Sequence, residues 1–175
     1  MVVDLRKVNQ LIKPLIVSLP KIDELLQELA ATSPECLSSS DFYQGYYGIK
    51  LDPKTSHLTA FTNPKTGVSY FHSCLPMGLS NSSGAFLAVM SKVFQDRQKF
   101  KYLFSYVDDL SITSGTFQEH LEHLDSVFCS IRQNNLILNP TKTTLAQPEV
   151  EFLGHTVNEN GTKISESKMN AIRII

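Results

Sequence analysis

Cysteine is scarce and scattered: Cys36, Cys74 and Cys129 in a chain of 175 residues. An odd number at wide spacing excludes a disulfide scaffold and a zinc finger, and favours a reducing, intracellular setting. No apolar run approaches the roughly 20 residues of a membrane span, and mean hydropathy is −0.09, so no membrane partner is expected. The N-terminus, Met1-Val2-Val3-Asp4-Leu5-Arg6, lacks a basic stretch followed by an apolar one and reads as carrying no secretory signal. A positive excess is missing too. Sixteen Lys and Arg against 17 Asp and Glu leave a net charge of −1, which argues against a self-sufficient nucleic-acid binder. There is no repeat and no low-complexity segment beyond Ser38-Ser39-Ser40. With 42% hydrophobic and 19% charged residues, the chain has the composition and the length of one folded domain.

Periodicity sketches the elements. Residues 1–20, broken by Pro14 and Pro20, read as strand or loop. Residues 21–31 carry Ile22, Leu25, Leu26 and Leu29 at helical spacing, with Pro34 beyond them. A short strand over 36–42 runs into an acid, and 57–62 with 68–73 form a hairpin around Asn63-Pro64-Lys65-Thr66-Gly67. A helix over 81–97 places Phe86, Met90 and Phe94 in the core. Strands over 102–106 and 110–113 pinch around Val107-Asp108-Asp109. Residues 117–133 make the clearest amphipathic helix, with Leu121, Leu124, Val127, Phe128 and Ile131 on its apolar face. A hairpin over 144–157 and a helix after Ser165 complete the chain. Helices interspersed with hairpins predict an α+β fold with an antiparallel sheet.

The most unusual local feature is Tyr106-Val107-Asp108-Asp109-Leu110, two adjacent acids between strand-forming apolar residues. Neighbouring carboxylates raise one another's proton affinity unless a cation is present. Mg²⁺, which prefers oxygen ligands, relieves that repulsion. Asp41 ends a second strand, Leu37-Ser38-Ser39-Ser40-Asp41. On its own it reads as a cap for a short helix beginning at Tyr43. With the doublet, it makes three carboxylates at the ends of strands that can lie side by side. Such a set could hold two cations about 4 Å apart, the clamp used in phosphoryl transfer. Between them lies Leu75-Pro76-Met77-Gly78-Leu79-Ser80-Asn81-Ser82-Ser83-Gly84-Ala85, a loop into a helix whose first turn is thin enough for a flat group to pack on.

Six motifs occur in order: Val2-Val3-Asp4-Leu5-Arg6-Lys7-Val8-Asn9; Asp41-Phe42-Tyr43-Gln44-Gly45-Tyr46; Leu75-Pro76-Met77-Gly78-Leu79-Ser80-Asn81; Tyr106-Val107-Asp108-Asp109; Leu138-Asn139-Pro140-Thr141-Lys142; and Glu151-Phe152-Leu153-Gly154-His155. Together they resemble the palm of a reverse transcriptase, most closely that of gypsy-type LTR retrotransposons, from Val2 to Arg173. The resemblance implies a ferredoxin/RRM-like polymerase palm over 1–175, an antiparallel sheet backed by helices. Part of the fingers would be present and the thumb absent, as a fragment of a larger polyprotein. The implied activity is RNA-directed DNA polymerisation, adding deoxynucleotides to a primer 3′ end by two-metal phosphoryl transfer. Asp41, Asp108 and Asp109 would bind two Mg²⁺, with Mn²⁺ as a substitute, and the backbone at Phe42 would complete the shell. Gln44 and Gly45 would lie along the phosphates, and the ring of Tyr46 would exclude a 2′-hydroxyl. Met77 and Gly78 would lie near the nascent base pair. Lys142 would protonate the leaving pyrophosphate, and Phe152-Leu153-Gly154 would grip the primer.

The implied partners are an RNA or DNA template with its primer, a dNTP, and other polyprotein domains (thumb, RNase H) or a second subunit. The implied location is cytoplasmic, virus-like particles included. The family's triphosphate-binding Lys and Arg lie upstream of the segment matching Val2-Val3-Asp4, so the near-neutral charge is expected to reflect basic parts outside this chain. A non-catalytic nucleic-acid-binding or polyprotein-assembly module is the competing reading. Outside the motifs, His120 and His123 beside Glu119 and Glu122 read as a solvated face, and the three Cys as small buried apolar residues.

Overall fold

The strand that ends in Asp41 organises the fold. The computed structural model describes residues 3–96 and 98–173. Its elements are, in chain order, α1 (Arg6–Asn9), α2 (Ile22–Ala31), β1 (Cys36–Asp41), β2 (Phe61–Thr62), β3 (Ser69–Tyr70), α3 (Ser82–Val93), β4 (Leu103–Tyr106), β5 (Asp109–Ser114), α4 (Phe117–Gln133), β6 (Thr144–Gln147), β7 (Glu149–Phe152), β8 (His155–Asn158), β9 (Gly161–Ile164) and α5 (Glu166–Arg173). Three 3-10 turns occupy Gly45–Gly48, Ser56–Thr59 and Pro140–Lys142. The described residues divide into two compact units, 3–17 with 44–92 and 18–43 with 93–173. Val2, which opens the first motif, and Arg97, the expected end of the helix over 81–97, lie outside the described residues.

In the second unit, a four-stranded sheet has the order β4-β5-β1-β6, each neighbouring pair antiparallel. With the strands in that order and α4 carrying the chain from β5 to β6, the sheet has the ferredoxin-like strand arrangement the family resemblance implies. β1 lies inside the sheet, where small hydroxyl residues fit between neighbours on both edges. α4 packs on β5 and β1. Thr116 caps it by accepting from Glu119 N at 3.2 Å, and Glu119 Oε2 reaches back to accept from Gly115 N at 3.0 Å. A core of Leu25, Leu26, Leu29, Leu37, Phe104, Val150, Phe152 and Val157 joins α2 to the strands, each large apolar side chain contributing about 1.5–3 kcal/mol when fully buried.

α4 spans the expected residues, but its buried stripe is shifted. Leu121 is 44% exposed, while His120 is fully buried, so the expectation of a solvated His face is wrong for His120. The reason is a hydroxyl network. His120 Nε2 lies 2.7 Å from Ser38 Oγ, and its Nδ1 lies 2.8 Å from Ser114 Oγ. Ser114 Oγ is also 2.7 Å from His123 Nδ1, which faces Thr113 O at 3.1 Å. A carbonyl can only accept, so His123 Nδ1 carries a proton. Ser114 Oγ thus sits between the two imidazoles, and Ser38 Oγ, at the other ring nitrogen of His120, accepts from Ala146 N at 2.9 Å. The network therefore ties α4 to β1, β5 and β6. Burial, then the nearby His123, pushes the His120 pKa down, and His123 stacks on Tyr102 with ring centroids 3.4 Å apart.

The expected hairpin over 144–157 is also redrawn. β6 leaves it to pair with β1, across a register shift between Leu37 and Ser39. The true hairpin is β7–β8, extended by β9 into a three-stranded sheet. Of the cysteines, Cys36 is buried as expected, whereas Cys74 and Cys129 are half-buried.

In the first unit, residues expected to be strand or loop include the short helix α1. Residues 57–59, expected in a strand, instead belong to the 3-10 turn Ser56–Thr59 because Asp52 starts a helical path: its carbonyl accepts from Thr55 N and Ser56 N, and its side chain from Lys54 N. The hairpin shortens to β2–β3, closed around Asn63 and Gly67. On α3, Phe86 and Met90 are buried, as their spacing predicts. The thin first turn of α3 is filled by the chain itself. A Cβ at Gly84 would meet Leu15 Cδ2 at 3.2 Å and Val17 Cγ2 at 3.4 Å.

Candidate active site

Register brings the acids together. Six consecutive residues of β1 pair with β5, from Cys36 opposite Ser114 to Asp41 opposite Asp109. Tyr106 pairs with Asp109 across the β4–β5 hairpin, so the loop is only Val107 and Asp108. Val107 carries φ 53°. A two-residue hairpin loop needs such a residue and usually fills it with glycine; a β-branched side chain there costs about 1–2 kcal/mol. Asp108 O accepts from Phe42 N at 3.2 Å, which ties the hairpin tip to the end of β1.

Like charges directly opposed on neighbouring strands are destabilising. A cation is set against this. Lys142 Nζ forms an ion pair with Asp41 Oδ2. The motif Leu138-Asn139-Pro140-Thr141-Lys142 has a local reason for each step. Phe42 bridges Leu138, and Asn139 N donates to Asp41 O at 2.8 Å. The Asn139 side chain caps the turn by accepting from Thr141 N, and Pro140 fills the position where no donor is needed. Thr143 Oγ1 donates to Asn139 O and lies 2.7 Å from Ser40 Oγ. The turn is therefore held against the end of β1, with Lys142 at Asp41.

The electrostatics remain unbalanced. Loss of hydration raises the pKa of Asp108, with Asp41 and Asp109 adding to the rise and Lys142 opposing it. Asp109 is raised by the same desolvation, then by Asp41, again against Lys142. The Asp41 hydrogen bond and charge raise Lys142 in turn. Asp108 Oδ1 is buried without a hydrogen-bond partner. Among the described residues, no three His, Cys, Asp or Glu side chains already form a metal cage. The donors nonetheless suit a hard divalent cation: all are carboxylate oxygens, and one is an orphaned buried atom of the kind an ion satisfies.

Phe152, Leu153 and Gly154 share an open cleft of about 550 Å³ with Asp41, Asp109, Lys142 and Glu151. Leu153 (φ 51°) and Gly154 (φ 73°) form the two-residue turn between β7 and β8, and Phe152 is buried beneath it. Gly154 O accepts from Ser165 N at 3.1 Å, and a Cβ on Gly154 would meet Lys168 Cδ at 3.0 Å. The glycine thus serves both the positive φ and the close approach.

Gln44, Gly45, Tyr46, Met77 and Gly78 belong to the first unit. Gln44 (φ 49°) leads into the turn Gly45–Gly48, so the expected cap at Asp41 is not the one used. Tyr46 lies edge-on to Phe86 at 5.5 Å, with its hydroxyl 3.4 Å from Ser83 Oγ. Met77 is exposed, and Gly78 has φ 90°. Two asparagines hold this loop: Asn9, which sequence reasoning left without a task, and Asn81, which it offered with Ser80 as a cap for the following helix. Asn9 Nδ2 donates to Gly78 O at 2.9 Å and its Oδ1 accepts from Ser80 N at 2.8 Å. Asn81 does the converse, donating to Lys13 O and accepting from Leu15 N. The signal was available: each Asn ends its motif, and paired Asn amides can clamp two backbones reciprocally.

Comparison with known proteins decides the family. Residues 1–157 match the family model described as reverse transcriptase (RNA-dependent DNA polymerase). This chain belongs to the reverse transcriptase family. It is 30% identical over 171 residues to the retrovirus-related Pol polyprotein from transposon 297 of Drosophila melanogaster, covering 98% of this chain and 16% of that protein. A putative enzymatic polyprotein of Cassava vein mosaic virus is 29% identical over 98% of this chain and 26% of its own length. The transposon Tf2-3 polyprotein of Schizosaccharomyces pombe is 28% identical over 92% of this chain and 12% of its own. Among solved structures, a foamy viral protease-reverse transcriptase in complex with RNA/DNA hybrid superposes with a TM-score of 0.85 at 25% identity, over 98% of this chain and 22% of that one. The same viral enzyme with dsDNA gives 0.82 at 26% identity, over all of this chain and 35% of that one. This reverse transcriptase segment therefore spans about a quarter or less of its curated relatives' length. Divalent-metal dependence belongs to the family in general.

Proposed function

We propose that this chain is the palm, with part of the fingers, of a gypsy-type LTR retrotransposon reverse transcriptase, and that it extends a primer 3′ end with deoxynucleotides. The observation that carries the reading is the register of Asp41 opposite Asp109, with Asp108 in the intervening turn and Lys142 at Asp41. Residues 18–43 and 93–173 would be the palm, and the remainder the fingers part. In the reaction, the primer O3′ forms a bond to the α-phosphorus as the bond to the leaving pyrophosphate breaks. Two Mg²⁺ or Mn²⁺ at this site would activate the hydroxyl and offset phosphate charge. Asp41, Asp108 and Asp109 would supply the oxygens for them, with the backbone of Phe42 completing the set.

Lys142 would donate the proton that the pyrophosphate takes up and would steady its charge. Gln44 and Gly45 would follow the triphosphate, while Tyr46 would reject a ribose by steric collision. Met77 and Gly78 would flank the nascent pair, and the Phe152-Leu153-Gly154 turn would hold the primer end at the far side of the cleft. The RNA/DNA hybrid and dsDNA bound by the foamy viral enzymes support a primed RNA or DNA template as partner. The relatives' polyprotein names support further domains in the working enzyme; these would include a thumb and RNase H or a second subunit, and the enzyme would act in the cytoplasm or in virus-like particles.

Primer extension on poly(rA)/oligo(dT) tests the reading. Extension by this chain that falls at least about 100-fold in Asp108→Asn supports it. Duplex binding without extension supports the non-catalytic module instead.

A further inference from the structure

The carboxylate expected to receive a divalent cation already holds a cation. Lys142 pairs with Asp41, and the contact is built rather than incidental. Asn139 N on Asp41 O, the Phe42–Leu138 bridge and the Ser40–Thr143 hydroxyl pair all press the Pro140–Lys142 turn against the end of β1. The ammonium acts on more than its partner, since it also opposes the rise in proton affinity at Asp108 and Asp109. One positive charge thus serves three acids. Its side chain is 64% exposed and that of Asp41 20% exposed. The head group of a flexible four-carbon stem can therefore leave for water while the carboxylate stays.

We infer that Lys142 is an internal counter-cation: it holds Asp41 in the metal-free protein, is displaced when a divalent cation binds, and thereby sets the metal affinity of the site. The inference rests on the reading of Asp41, Asp108 and Asp109 as metal ligands. Its physical basis is competition, because an ammonium and a dication cannot both occupy one carboxylate edge without strong mutual repulsion at contact distance. Displacement also orders events. The ammonium becomes available to a leaving phosphate only once the ion has replaced it at Asp41.

Mn²⁺ alone, titrated into the 175-residue chain at pH 8 and followed by the loss of the free-ion paramagnetic resonance signal, tests this without nucleotide or template. Lys142→Met is expected to bind Mn²⁺ about tenfold more tightly than the parent, and Lys142→Arg, which keeps the charge, no more tightly. In metal-free buffer Lys142→Met should melt lower, and Mn²⁺ should raise its midpoint by more than it raises the parent's. In the unsubstituted chain, the Lys142 ε-carbon resonance should shift and sharpen with Mg²⁺ as the side chain is released, a readout that needs no variant to fold. Equal or weaker Mn²⁺ binding by Lys142→Met, or a Lys142 signal unmoved at saturating Mg²⁺, overturns the inference. Asp41→Asn separates the two layers. If it binds Mn²⁺ as the parent does, or if neither binds, the metal-ligand reading fails and takes this one with it. If it loses binding while Lys142→Met is unchanged, only the counter-cation idea falls.

Discussion

Residues 1–17 and 44–92 hold seven Lys and Arg against two Asp, whereas residues 18–43 and 93–175 hold nine against fifteen Asp and Glu. A chain of net charge −1 is therefore a unit of +5 joined to a unit of −6. The near-neutral total, read as evidence against a self-sufficient nucleic-acid binder, is an average over two opposite populations. Positive charge collects in the unit that also exposes Tyr70 and Phe71, with Phe61 and Tyr70 stacked at 5.9 Å. That is a chemistry suited to polyanions with flat bases. Acids collect in the unit that carries Asp41, Asp108 and Asp109. The two units also hold their functional loops differently. The first uses neutral amide clamps at Asn9 and Asn81, and the second uses strand register and an ion pair.

Three measurements sharpen or break this contrast. The largest expected effect comes from emptying each core separately. Phe86→Ala in the first unit should cost about 3–5 kcal/mol and Leu37→Ala in the second about 2–5 kcal/mol, read from urea midpoints. If the units are energetically separate, each variant will give a biphasic curve in which only its own phase moves. One shared transition would mean that they unfold together and that the division is only geometric.

A smaller effect is expected from the His120 network, which only the second unit has. Ser38→Ala should cost about 1–3 kcal/mol by leaving a His120 ring nitrogen and Ala146 N without their shared hydroxyl partner. Because the folded-state pKa of His120 lies below its ordinary value near 6.5, the unfolded chain binds the extra proton first. Stability is thus full above pH 6.5 and declines as pH falls from there toward the folded-state value. Urea midpoints between pH 5 and 8 should show this slope, and His120→Gln should flatten it. An unchanged slope in that variant would remove His120 from the account.

The smallest effect concerns charge. Lys54→Gln with Lys65→Gln should lower the salt-dependence slope of single-stranded DNA binding by about 0.7 per lysine, whereas Lys163→Gln in the acidic unit should leave it unchanged. Equal losses from both would erase the comparison.

How much was legible follows from the range of the interactions. Helix α4 could be read to the residue because its period and its cap are local. The burial of His120 could not, since one hydroxyl partner, Ser38, lies 82 residues away. Neither could the departure of β6 from its expected hairpin, which depends on a free edge of β1 more than 100 residues upstream. Within the site, the doublet Asp108-Asp109 was visible as acids among apolar neighbours. Asp41 in isolation looked like a helix cap; the doublet and the motif order gave it another task, and its register opposite Asp109 brings the two acids face to face. The motif ending at Lys142 was visible as a pattern, but the hydrogen bonds from Asn139 and Thr143 that aim it were not.

By itself, the order of amino acids determined the span of α4, the buried Phe86 and Met90 of α3 and the six motifs that mark a reverse transcriptase, because backbone preference and side-chain period act over a few residues. The tertiary structure alone decided which acid faces which, where the Lys142 ammonium rests, and how positive and negative charge are shared between the units. Those outcomes depend on contacts between distant segments, whose geometry is set only when the strands find their register.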